Sequence, residues 1–203
     1  MSAPRLLLPL DASGCRRLKI AFVGTHGVGK TTLCFDLAAH LKRLDLAVDL
    51  VKEVARRCPL PINEETTLDA QLWILHSQVA EEIAAQAMYE VVVCDRSVLD
   101  NYAYLVARIG RRPELDHLVR EWITGYDALF KVPVIHAPTF DGKRAVSRQF
   151  QLDIDATIDE LVRAFDVPVV HLDPANRDGW VPAVLESLAL PLEPPQIDLF
   201  AEP

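Results

Sequence analysis

Apolar residues follow two alternating rhythms along this chain. Short apolar or β-branched runs at 18–23, 47–52, 90–94, 128–134 and 167–172 read as strands. Between them the apolar spacing becomes helical. Leu33, Leu37, Leu41 and Leu44 predict a helix over 29–44, and Leu68, Leu72, Val79 and Ile83 mark one side of a long helix over 66–89. Further helices are expected over 98–109, 113–123, 149–165 and 180–188, and Pro59 and Pro61 break the chain between strand and helix. The continuous run Val91-Val92-Val93 is that of a strand buried on both faces, which puts it at the sheet centre. Strands alternating with helices predict an α/β fold with a five-stranded parallel sheet between two helical layers.

The first strand ends in Gly24-Thr25-His26-Gly27-Val28-Gly29-Lys30-Thr31-Thr32, which satisfies G-x-x-x-x-G-K-[ST] between a strand and a helix. Glycines let successive N–H groups converge on one centre, and the following helix adds partial positive charge there. The expected ligand is ATP with Mg²⁺: Lys30 bridges the β- and γ-phosphates and Thr31 puts its hydroxyl on the metal. His26 has no part in the motif and reads as a solvent-facing spacer.

A nucleotide loop leaves several reactions open, and the third strand narrows them. Asp95 follows that strand directly, where a P-loop protein places the acid that holds Mg²⁺, and an unpaired carboxylate at a buried strand end would be costly. The next residue is Arg96, not the glutamate with which many motor ATPases orient water; an arginine suits an anionic or hydroxylated acceptor. No Asn-Lys-x-Asp guanine reader and no Leu-Ser-Gly-Gly signature occurs. Phosphoryl transfer to a small acceptor is the leading class.

The loop GTHGVGKTT, Glu53-Val54-Ala55-Arg56 after the second strand, and Asp95-Arg96-Ser97-Val98-Leu99-Asp100 after the third together resemble the NadR-like P-loop kinase and ATPase family. The resemblance runs from about residue 18 to 188 and implies a three-layer, nucleotide-kinase-like P-loop fold. It implies that Glu53 serves the acceptor as base or hydroxyl ligand, that Arg56 and Arg96 bind it, and that Asp100 holds a ribose hydroxyl or supports Arg96. Lys143, Arg144 and Arg148 lie where related kinases carry a lid, with Arg144 meeting the developing charge and Arg148 the nucleotide. Trp73 and Phe150 read as core.

Acidic residues outnumber basic ones, 29 to 21, for a formal charge of −8, which argues against broad nucleic-acid coating. Cys15, Cys34, Cys58 and Cys94 show no Cys-x-x-Cys spacing and read as structural thiols. The run at 6–10 is too short for a membrane span and has no cleavage pattern, so the expected location is cytoplasmic. The domain is expected over 18–188, with an extension before it and a flexible proline-rich tail over 189–203. In that tail Gln196, Ile197, Asp198, Leu199 and Phe200 resemble the peptide with which bacterial replication and repair proteins bind the sliding clamp. Docking of that peptide would give an acidic protein a location on DNA as an ATP-hydrolysing accessory factor.

Overall fold

Leu18–Val23 forms β1, buried along its whole length because its side chains alternate between two cores. Ile20 and Phe22 enter one cluster, Ala21 and Val23 the other. In the computed structural model, which describes residues 17–137 and 147–193, every strand pairing is parallel and the strand order is β2-β3-β1-β4-β5. The remaining strands are β2 (Val48–Val51), β3 (Val91–Cys94), β4 (Ala128–Lys131) and β5 (Val170–His171). β3 is interior and buried as its sequence demands, but the centre belongs to β1, which β3 and β4 flank. The sheet centre is thus the strand that launches the glycine loop.

Helices α1 (Lys30–Arg43) and α6 (Trp180–Ser187) cover one face, through Leu33, Leu37 and Leu41 and through Trp180, Val184 and Leu185. Helices α2 (Leu68–Met88), α3 (Val98–Ile109), α4 (Pro113–Ile123) and α5 (Arg148–Ala164) cover the other. This is the expected three-layer fold. Because β1 feeds a helix on one face and its neighbour β3 a helix on the other, the loops after them diverge and leave a crevice at their carboxyl ends.

Local departures have physical causes. β5 is an exposed edge strand cut to two residues, against six expected, because only Phe130 and Lys131 of β4 lie beside it. α2 buries Gln71, Gln78 and Glu82 beside Ile74 and Leu75, while Ile83 is exposed and Leu68, Leu72 and Val79 are only partly covered. Glu82 is tolerated inside because Lys19, Gln78, Trp122 and Tyr126 all donate to it. Trp73 lies at the surface, not in the core, whereas Phe150 packs on the α2–α5 cluster. Cys34 and Cys94 are buried free thiols whose pKa burial raises, and Cys58 is half-buried. Among the described residues no helix is long and apolar enough to cross a membrane.

Candidate functional site

The chain leaves β1 through Gly24, Gly27 and Gly29, all at positive φ, where a side chain would be strained. A Cβ on Gly24 would also lie 2.8 Å from the carbonyl oxygen of Val132, the residue just past β4. Gly29 then opens α1 with no side-chain cap and no acid in the first turn, leaving N–H groups and positive partial charge at the loop. Lys30 folds back over this turn, its Nζ donating to the carbonyls of Gly24 at 2.6 Å and Thr25 at 2.5 Å. Burial, aided by the charge of Arg96, lowers its pKa to about 8.

Asp95, at the end of β3, accepts from the hydroxyl of Thr31 at 2.5 Å. Burial raises its pKa, with Lys30 and Thr31 opposing the shift. The two oxygens predicted to hold Mg²⁺ therefore meet side by side below the loop.

Arg96 turns the chain out of β3 at φ 106, a conformation costly for a residue with a Cβ. Its side chain is fixed by Glu53: Nε and Nη2 both reach Oε1, at 2.8 and 2.7 Å. The other oxygen of Glu53 takes Arg56 Nε at 2.8 Å. Burial pushes against ionisation of Glu53, but Arg96, Lys30 and Arg56 outweigh it and hold the carboxyl at about 2.

Of the two roles expected of Asp100, the ribose contact is not the one its bonds show. Asp100 is fully buried; Oδ1 accepts the backbone N–H of Gly24 at 2.7 Å, and Oδ2 takes the N–H and hydroxyl of Ser97 in a capping box. Both oxygens are engaged within the protein, so the carboxylate suspends the phosphate loop from α3 instead of reaching toward a ribose. His26 departs from expectation. It is 4% exposed, not solvent-facing, and its Nδ1 lies 2.9 Å from the hydroxyl of Tyr104. Its carbonyl takes Gln151 Nε2 at 2.8 Å, and its ring packs on Phe150, tying the loop to α5.

These groups border two adjoining cavities. One lies over the loop and is lined by Lys30, Thr31 and Asp95. The other runs away from it between Arg56, Ile62, Gln71 and Asn101. His26, Glu53 and Arg96 line both and form the wall between them. The motifs do not point to Arg177, which stands in the turn before α6 with Nη2 2.8 Å from where a Cβ of Gly29 would sit and lines the cavity over the loop. Only an exposed arginine after a strand signalled it. Arg148 bonds Gln151 Oε1 at 2.8 Å and lines neither cavity, while Lys143, Arg144 and the clamp-like peptide lie outside the described residues.

Comparison with known proteins agrees with this layout. A family model described as an AAA domain matches residues 19–178. The structure of deoxyadenosine kinase from M. mycoides with bound dATP is similar at TM-score 0.62 and 14% identity, covering 85% of this chain and all of that one. Thymidylate kinase from Ehrlichia chaffeensis is similar at TM-score 0.61 and 20% identity, covering 85% of this chain and 98% of that one. No curated protein matches the sequence.

Proposed function

The chain belongs to this AAA-domain family, and on that premise we propose that it transfers the γ-phosphoryl group of Mg·ATP to a nucleoside-like or nucleotide-like acceptor. The observation that carries the reading is the shared wall: Glu53 and Arg96 border both the loop cavity and the second, partly apolar one. An enzyme that only hydrolyses ATP needs water beside the γ-phosphate, not a second built cavity. The fold, similar to a deoxyadenosine kinase and a thymidylate kinase, accords with two adjoining substrate sites.

In this reading the loop N–H groups, Lys30 and Arg177 hold the triphosphate. Thr31 and Asp95 fit a hard divalent cation, since they bring two oxygen donors together next to the loop. The metal would supply charge neutralisation on the phosphate oxygens. The acceptor oxygen forms a P–O bond as the β–γ bridge breaks, ADP leaves, and the hydroxyl proton passes to water. Glu53, held at about 2 by Arg96, Lys30 and Arg56, is ionised at neutral pH. It orients the hydroxyl by accepting its hydrogen bond, while Arg96 faces the transferring group. The second cavity is narrow, about 40 Å³, with the 3₁₀ turns Val54–Arg57 and Asn63–Glu65 beside it.

The test is the fate of labelled γ-phosphate with a panel of nucleosides, nucleotides and ribosylnicotinamide. Label in an organic product supports the kinase. Release only as inorganic phosphate overturns it and favours the second reading, an ATP-hydrolysing factor recruited to DNA by residues 196–200. That reading rests on the Gln196–Phe200 peptide. Equal affinity of a bacterial sliding clamp for the full chain and one truncated before Gln196 would dismiss the recruitment.

A further inference from the structure

Two residues that line the second cavity carry donor atoms that the described residues leave unsatisfied. Nη1 of Arg96 and Nδ2 of Asn101 are buried with no hydrogen-bond partner, on side chains of residues only 5% and 4% exposed, and both residues line this cavity. Folded proteins seldom keep one buried donor unpaired, and a pair bordering one cavity points to an acceptor atom brought by a ligand. Three neighbouring donors are already engaged. Arg96 Nε and Nη2 are on Glu53, and Gln71 Nε2 donates to Thr66 Oγ1 at 2.8 Å.

The lining also orders the site. Arg96 borders both cavities, whereas Asn101 borders only the second, together with Ile62, Ile74 and Gln71. The part of an acceptor nearest the transferring phosphoryl therefore meets Arg96, and the part lying wholly within the second cavity meets Asn101. Two isoleucines and the ring of Tyr104 make apolar walls there, suited to a flat ring whose edge carries lone pairs. A site built to donate to such an edge discriminates strongly against an amino group, because the buried donor is then left facing another donor.

Resting on the kinase reading above, we propose that Asn101 is the residue that selects the acceptor's base, favouring a nucleoside whose ring carries a carbonyl over its amino counterpart. Arg96 meets the sugar end of the same molecule. Asn101 acts by binding, not in the chemical step.

The experiment uses two matched pairs, uridine with cytidine and inosine with adenosine, each exchanging a ring carbonyl for an amino group. Dissociation constants and labelled γ-phosphate transfer are measured for the full chain and for Asn101→Asp, which replaces the donor by an acceptor of the same shape. The wild-type protein should favour the carbonyl member of at least one pair by about tenfold or more. Asn101→Asp should invert that preference. Asn101→Ala, a second variant in case the aspartate disturbs folding, should bring the ratio near one; far-UV circular dichroism checks both folds. Transfer to nucleosides with a pair ratio unmoved by either variant overturns the Asn101 assignment and leaves the kinase intact. Failure of the wild type to bind or phosphorylate any nucleoside overturns the proposal, and absence of transfer from the whole acceptor panel removes the kinase reading as well.

Discussion

The backbone N–H of Gly24 donates to Oδ1 of Asp100 at 2.7 Å, across 76 positions of sequence, and joins the first glycine of the loop to the N-terminus of α3. The second oxygen of the same carboxylate caps that helix through Ser97. One side chain therefore sets the distance between the phosphate loop and the strand end that carries Asp95 and Arg96. Asp100→Asn keeps the shape but turns an acceptor into an N–H₂ that faces either Gly24 N–H or Ser97 N–H. We expect a loss of about 1–3 kcal/mol in urea unfolding, the cost of a buried group left unsatisfied, together with weaker ATP binding. Loss of stability with unchanged nucleotide affinity would show that the loop holds its shape without this tether.

Lys30 titrates at about 8 in the unliganded protein, because burial and Arg96 disfavour its charge. An unfolded lysine titrates near 10.5, so between those values the unfolded chain binds more protons and stability rises with pH. Phosphate beside Lys30 restores the charge and raises its pKa, so ATP binding takes up a proton near pH 8. Affinity should hold below that pH and fall about tenfold per pH unit above it. Calorimetric titrations in two buffers of different ionisation enthalpy measure the uptake, and Lys30→Met should abolish it.

What the sequence made legible follows from how local each signal is. The loop, its strand and its helix lie within one stretch, and Thr31 and Asp95 were placed together because a P-loop sheet always juxtaposes those two ends. Arg96 came from its place directly after Asp95 and Glu53 from resemblance, and the structure brings them into contact. The misreadings concern long-range partners. His26 looked solvent-facing because Tyr104 and Gln151, which cover it, lie 78 and 125 positions away. On α2, apolar spacing chose Ile83, while the buried side carries Gln71, Gln78 and Glu82, whose donors and acceptors come from several other elements. Asn101 gave no signal at all, since an unsatisfied donor exists only once the fold is built.

Glu53 is the counterion of two arginines, and its carboxyl titrates at about 2 against an ordinary 4.5. Its folded value is depressed, so its contribution is complete above 4.5 and drains away as the pH falls from 4.5 toward 2. At neutral pH that contribution is about 3 kcal/mol for a shift of this size. Glu53→Gln should lower stability at pH 7 by up to that amount and flatten the acid limb of the unfolding curve. Urea titrations at stepped pH values resolve the two effects. An acid limb identical to wild type would mean that Arg96 is not held by this carboxylate.

Arg96 joins chemistry to backbone strain, and two substitutions separate them. At φ 106 a residue with a Cβ costs on the order of 1–3 kcal/mol, whereas glycine adopts that conformation freely. Arg96→Ala and Arg96→Gly both delete the bonds to Glu53, and both should lose phosphoryl transfer alike. They should differ in stability. Glycine gives back about 0.5–1 kcal/mol through its more disordered unfolded chain, so the net advantage of Arg96→Gly over Arg96→Ala is about 1 kcal/mol. Gln78, whose Nε2 donates to the Arg96 carbonyl at 3.1 Å, holds the backbone in place in both variants. Paired urea titrations read the difference directly. Equal midpoints, or a more stable alanine variant, would mean that the turn relaxes once the guanidinium is gone, and that the side chain itself imposes the strained conformation.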